Sequence, residues 1–254
     1  MFKQFLICML PLWLMACSST ANNWQQEESK EAIYQQTNNH TKLVALYKVQ
    51  LQREDIAEIR QKLASSYLKL ADAESALFYI TPVIESEKAS LEAYQIQAQA
   101  YGDMGQYPAA IAAAKLALEL DPSNSRTENL LGTYYGYSFQ TMLARRYFER
   151  ARDHFYDGVT VNNNLAVLDI AEGDYFTAAK RLMPLYKSHQ ADEMVMANLT
   201  LSMAKQGHYA FVQQVLSDTY SQHQIEKIYR SLQKFEPMSA DSRLDTLSSI
   251  QYEK

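Results

Sequence analysis

Two cysteines and five histidines are the residues of this chain best suited to bind a metal or attack a substrate. The histidines, at 40, 154, 189, 208 and 223, show no metal-ligand spacing. No HExxH, GxSxG or phosphate-loop sequence occurs. Aspartates and glutamates could work in acid–base pairs, but their positions read mostly as outward helix faces. Catalytic residues, metal ligands and a small-molecule substrate are therefore not expected. What remains is Cys17, in the stretch Leu14-Met15-Ala16-Cys17-Ser18-Ser19-Thr20 at the end of a short greasy segment. A thiol placed there suits covalent modification rather than turnover.

The segment before Cys17 explains its position. Lys3 gives a positive start, and residues 5–16 are apolar apart from Pro11. Those residues would reach about 18 Å as a helix, against the roughly 30 Å of a bilayer's hydrocarbon. This is the pattern of a signal peptide, residues 1–16, rather than of a membrane-spanning anchor. Leu14-x-Ala16-Cys17 resembles the lipobox of bacterial lipoproteins, although Met15 differs from the commonest residue at its place. That resemblance implies a diacylglycerol on the Cys17 sulfur, cleavage before Cys17 and an acyl chain on the new amine. No other cofactor is expected. Each buried methylene contributes roughly 0.8 kcal/mol, and more than one chain is needed for stable anchoring. Cys8 would leave with the signal, so no disulfide could form. Ser18 is not the Asp of the inner-membrane retention signal, which implies the periplasmic face of the outer membrane.

The formal net charge is −5 and no basic block occurs, so the electrostatic footprint of nucleic-acid binding is missing. Seven glycines and six prolines in 254 residues favour long helices over sheet.

The chain also repeats itself. Ala64, Ala98, Gly132, Ala166 and Thr200 are 34 residues apart, as are Leu63, Gln97, Leu131, Leu165 and Leu199. A second small position gives Ala76, Ala110, Ala144, Ala178 and Val212, with Ile80, Ala114, Phe148, Leu182 and Leu216 four further on. Tyr67, Tyr101, Tyr135, Asp169 and Met203 share the eleventh place. Ala71, Gly105, Phe139, Gly173 and Gly207 share a turn place, where the first helix must end and glycine tolerates a left-handed backbone. This resembles the tetratricopeptide repeat, best seen in Leu131-Gly132-x-x-Tyr135 with Ala144-x-x-x-Phe148. The leading Trp of that pattern is absent; Arg60, Tyr94, Glu128, Asn162 and Met196 hold its place.

The resemblance implies an all-α fold, a right-handed superhelical solenoid of A and B helix pairs. Its repeats would be 57–90, 91–124, 125–158, 159–192 and 193–226, within a solenoid spanning 41–236. Small residues would let paired backbones approach and large ones fill the gap to the neighbour, so that repeats stabilise one another. Residues 41–52 read as a lone B helix, with a degenerate partner possible in 27–37. Ile225, Ile228, Tyr229, Leu232 and Phe235 form one stripe, expected to be a C-terminal capping helix ended by Pro237. Residues 17–40 read as lipidated N-terminus and tether, and 237–254 as a polar tail with Leu244, Leu247 and Ile250 at helical spacing.

In the tetratricopeptide family the A helices line a concave face. The inward places imply a groove of Asn129, Thr133, Asn163, Val167, Ile170, Met194 and Leu201. A ladder of side-chain amides suits an extended peptide backbone, because each amide both donates and accepts. The alternative for Asn129 and Asn163 is that they satisfy neighbouring helix ends.

Beyond the repeat consensus, Leu43-x-x-Leu46-Tyr47-x-x-Gln50-Leu51, Ser75-Ala76-Leu77-Phe78-Tyr79, residues 161–168 (VNNNLAVL), Ala204-Lys205-Gln206-Gly207-x-Tyr209-Ala210 and Ile225-x-x-Ile228-Tyr229-x-x-Leu232 are similar to the TadD lipoproteins of the tight-adherence (Flp pilus) secretion system. The likeness covers about 41–235. It implies a non-enzymatic, pilotin-like assembly factor whose partner is the secretin or another pilus-assembly protein. The alternative is a periplasmic lipoprotein adaptor that recruits peptidoglycan hydrolases or proteases.

Overall fold

A computed structural model describes residues 16–86 and 89–237, with side chains from residue 26 onward. The segment before Ala16 expected to be a signal peptide, the Cys17 side chain and the tail at 238–254 lie outside the described residues. Every regular element among the described residues is an α-helix. The chain divides into two compact units, residues 1–104 and 105–254.

The first unit holds α1 (Ala16–Gln36), α2 (His40–Arg53), α3 (Ala57–Lys69), α4 (Ala73–Ile84) and α5 (Leu91–Asp103). Its core gathers Leu43, Tyr47, Leu63, Ala64, Tyr67, Ala76, Ile80, Ala93 and Ile96. The residues from 26 to 36 belong to this unit rather than to a tether. Their contacts to α2 are polar: Tyr47 Oη donates to Glu31 Oε1 at 2.9 Å, and Arg53 Nη1 meets the buried Glu27 at 2.5 Å. Lys62 of α3 joins Glu31 at 3.1 Å. Burial, then the Glu31 hydrogen bond, pushes the Tyr47 phenol up to about 12. This side of α1 carries charge and amide instead of an apolar stripe, which is why the sequence pattern hides it.

The second unit holds α6 (Tyr107–Leu120), α7 (Ser125–Tyr137), α8 (Thr141–Asp153), α9 (Gly158–Ala171), α10 (Tyr175–Lys187), α11 (Glu193–Lys205), α12 (Tyr209–Leu216) and α13 (Gln222–Lys234). Its core includes Ala166, Ile170, Ala178, Leu182, Val195 and Leu199. α13 packs on α11 and α12 through the buried Ile225, and a Ser221/Gln224 capping box starts it. It ends at Lys234, three residues before Pro237, and Phe235 beyond it is exposed.

The helices keep the 34-residue register. A helices begin at 57, 91, 125, 158 and 193, each within a residue of the expected repeat starts. Ala64, Ala98, Gly132, Ala166 and Thr200 are all buried, and so are Ala76, Ala110, Ala144, Ala178 and Val212. The shared turn place is left-handed in all five copies: Ala71 (φ 57°), Gly105 (72°), Phe139 (58°), Gly173 (80°) and Gly207 (86°). Two of these lack glycine and bear the left-handed strain. Side chains of Asp72, Ser90, Asn124, Asp157, Asp174 and Asp192 accept from backbone N–H groups of the helices they precede, which fixes where those helices start.

Inside the third repeat the closest approach is between Gly132 and Phe148. A Cβ added at Gly132 would lie 2.5 Å from the Phe148 ring, while one at Gly136 would lie 3.9 Å from Ala144 Cβ. The helix pair is thus locked by glycine against ring, and Ala144 faces Gly136, one turn along from Gly132.

Candidate interaction groove

Three successive A helices of the second unit, α7, α9 and α11, place side chains around a cavity of about 480 Å³. Thr133, Gly136 and Tyr137 come from α7, Asn163, Asn164, Val167, Leu168 and Ala171 from α9, and Met194, Ala197 and Asn198 from α11. Phe139, Thr141 and Phe148 also line it. The volume is within the range of about 300–1,000 Å³ typical of ligand clefts. No lining residue is charged.

Two amide pairs join the floor helices. Asn164 Nδ2 donates to Asn129 Oδ1 at 3.0 Å, joining α9 to α7. Asn198 Nδ2 donates to Asn163 Oδ1 at 2.9 Å, joining α11 to α9. In each pair the acceptor is at the fifth place of one repeat and the donor at the sixth place of the next. Asn129 and Asn163 are themselves buried. They therefore hold helix to helix, which is neither the helix-end role nor a fully open ladder. Each pair leaves amide groups beyond that one bond.

Of the groove residues expected from sequence, Thr133, Asn163, Val167 and Met194 line the cavity. Val167 is 44% exposed and Met194 63%, so both apolar side chains are open to a ligand. Thr133 spends its hydroxyl on Asn129 O at 3.0 Å. The other three residues are placed differently. Asn129 accepts from Asn164 Nδ2 and is not among the lining residues. Ile170 is a core residue at 6% exposure, packed with Ala178, Leu182 and Leu199. Leu201 packs, partly buried, against the same core. The reason is angular: at 100° per residue, the twelfth place of α9 turns from the groove toward the B helices. Tyr137, Asn164, Ala171 and Asn198 were missed. The sixth and thirteenth places flank the expected inward ones, and the recurrence of Asn at 129, 163, 164 and 198 was the available signal.

Two carboxylates read as solvated are buried and paired. Asp169, 3% exposed, accepts from Arg145 Nη1 at 2.8 Å and from Arg181 Nε at 3.0 Å. Glu128, fully buried, meets His154 Nδ1 at 2.8 Å. Arg150 Nη2 lies 2.8 Å from the other Glu128 oxygen, off the line of a hydrogen bond, and donates to Pro122 O at 2.9 Å. Each acid faces a guanidinium from another helix, which gives it a packing role. Among the described residues no His, Cys, Asp and Glu cluster could hold a metal, and no helix is long and apolar enough to cross a membrane.

No protein-family model matches the chain, and no curated protein matches it in sequence. Solved structures do match its fold. A thermophilic tetratricopeptide-repeat protein of Thermus thermophilus aligns with a TM-score of 0.60 at 16% identity, over 70% of this chain and 98% of its own. A tetratricopeptide-repeat protein from Parabacteroides merdae aligns at 0.62 with 14% identity, over 80% and 83%. The Cut9–Hcn1 hetero-tetramer structure of the APC/C aligns at 0.61 with 19% identity, over 79% of this chain but 41% of that one. The fold is that of tetratricopeptide-repeat proteins, built from pairs of antiparallel helices.

Proposed function

We propose, from a tetratricopeptide-repeat fold with an open uncharged groove, that this protein is a non-enzymatic interaction scaffold whose groove holds a segment of a partner protein. One solved protein of this fold is described as part of a hetero-tetramer, which is in keeping with a partner-binding role. The observation that carries the reading is the groove lining: exposed Val167 and Met194 beside the Asn163–Asn198 amide pair, with no charge. Such a surface suits a partner segment with apolar side chains and a backbone able to exchange hydrogen bonds with amides. It does not suit a strongly acidic or basic peptide.

The finer reading rests on sequence likeness. The lipobox-like Leu14-x-Ala16-Cys17 supports a lipoprotein held at the periplasmic face of the outer membrane. The similarity to TadD lipoproteins supports a pilotin-like assembly factor of the Flp pilus, with the secretin as partner. Anchoring is tested by Cys17→Ser, which should release the protein from membranes or leave it uncleaved; a cleaved variant still in the outer membrane would overturn the lipid reading. The groove is tested by Val167→Glu with Met194→Glu. Both side chains are exposed, so helicity should be unchanged while secretin level and pilus assembly fall. Normal pili would exclude the groove as the working surface. Recovery of a cell-wall hydrolase instead of a secretin on the wild-type protein would favour the adaptor reading.

A further inference from the structure

The groove of α7, α9 and α11 has a candidate occupant in the same chain. We propose that Leu244, Leu247 and Ile250, carried by the segment after α13, dock in this groove and compete there with the partner. This rests on the reading of the groove given above.

Reach is the first support. Lys205 Nζ, at the end of α11, donates to Gln233 O at the end of α13 at 3.0 Å. The exit point of the tail is therefore fixed beside α11. Ala197 and Asn198 of the groove lie eight and seven residues earlier on α11, on the order of 10–12 Å along its axis. The eleven residues from Gln233 to Leu244 can span up to roughly 36–40 Å. The segment reaches the groove with slack.

Chemistry is the second. Leu244, Leu247 and Ile250 recur every third residue, while Asp241, Arg243 and Asp245 fall between or before them. In a helical or turned conformation that pattern gives one apolar stripe with its charges elsewhere. An uncharged cavity edged by Val167 and Met194 accepts such a stripe and leaves the charges in water.

Energetics is the third. A segment this short does not hold a helix alone in water, so its apolar stripe needs a surface to bury it. Attachment through a short linker supplies an effective concentration in the millimolar range. An intrinsic dissociation constant near 1 mM would then roughly half-fill the groove, which a tighter partner displaces.

The test uses the full lipid-anchored chain with the photoreactive amino acid p-benzoylphenylalanine placed at Leu247. Irradiation should give links within one chain to α9 and α11, and Ala197→Arg should cut their yield at least tenfold. Circular dichroism checks the variant's helicity, and Met194→Glu replaces it if it unfolds. Links only to α13, links joining two copies, no links, or a yield indifferent to the groove variant would each overturn docking. Competition is read separately. Leu247→Glu with Ile250→Glu should raise the affinity for overlapping secretin peptides about twofold, the gain expected when a competitor that half-fills the groove is removed. Groove-directed links with unchanged peptide affinity would overturn the competition and count against the groove as the partner's seat. Links elsewhere with intact peptide binding would overturn the docking alone.

Discussion

The eleventh place of the repeat holds stacked rings in the first unit, whereas the second unit holds both stacked rings and, one repeat later, an ion triad. In the first unit Tyr67 stacks on Tyr79, twelve residues on, with ring centroids 5.6 Å apart and planes 6° apart. Lys48, from the preceding B helix α2, sits over the Tyr67 ring at 5.5 Å. In the second unit Tyr135 stacks on Tyr147, again twelve residues on, at 5.5 Å and 9°, with Lys115 of the preceding α6 over it at 5.9 Å. One repeat later the same seat holds Asp169, its partner twelve residues on is Arg181, and the preceding B helix supplies Arg145. Face-to-face rings and an ion triad stand at the same place of the repeat. The difference teaches that these three copies keep a slot and a cation from the previous helix, not a residue type.

The largest effect should come from stripping the ionic version. Arg145→Met with Arg181→Met strands a buried carboxylate, and such losses cost about 3–5 kcal/mol. Chemical denaturation should show it as a large fall in midpoint. Rebuilding the seat in the aromatic manner, Asp169→Tyr with Arg181→Tyr and Arg145 kept as the covering cation, should recover most of that stability. If the rebuilt seat is as unstable as the stripped one, the two versions are not equivalent and the comparison breaks.

A second test addresses the neighbouring close approach. Gly132→Ala should cost about 1–3 kcal/mol by overpacking, since the new methyl would meet Phe148. Phe148→Leu, which imitates Leu182 of the next repeat, should relieve part of it. Unchanged melting of Gly132→Ala would show that the ring yields freely.

Much of this framework is legible in the sequence, because tetratricopeptide geometry is carried by residues that recur. The A-helix starts, the buried small positions and the left-handed turn place all follow from 34-residue spacing. The acid seats do not. Glu128 and Asp169 stand where the pattern has Trp and Tyr, yet charge alone suggests solvent. Their partners lie elsewhere in the chain, Arg145, Arg150 and Arg181 on other helices and His154 just after α8, so no local periodicity joins them. The groove was half legible for a related reason. Periodicity gives an angle per place, but whether Ile170 meets water or core depends on where the next B helix packs.

A smaller effect separates the glycine turns from the others. Phe139 and Ala71 hold φ of 58° and 57°, a conformation that disfavours side-chain-bearing residues by roughly 1–2 kcal/mol. Phe139→Gly should therefore gain up to about 1 kcal/mol in the second unit, less whatever groove contact the ring makes, and Ala71→Gly a similar amount in the first. A loss at Ala71→Gly would mean that unfolded-chain entropy outweighs the strain.

The smallest signature is confined to the first unit and to alkaline pH. The Tyr47 phenol is raised to about 12, against an ordinary value near 10. A raised acid favours the protonated folded state, so its contribution is full below about pH 10 and is lost as pH climbs toward 12. Tyr47→Phe should flatten the alkaline limb of a stability–pH profile. A profile that stays identical would detach Tyr47 from it.

At Tyr67, Tyr135 and Asp169 the cation of the seat comes from the helix before it, which gives these repeats a fixed syntax. Arg145, which completes the seat of Asp169, corresponds 34 residues later to Ala179. A tandem duplication of residues 159–192 would thus set a second buried aspartate behind an alanine, with one guanidinium in place of two. The repeats look alike to the backbone but cannot be shuffled like beads. Their order is inherited as a sentence is, each unit legible only after the one that precedes it, and recombination at this locus would be filtered for breakpoints that keep donor and seat together.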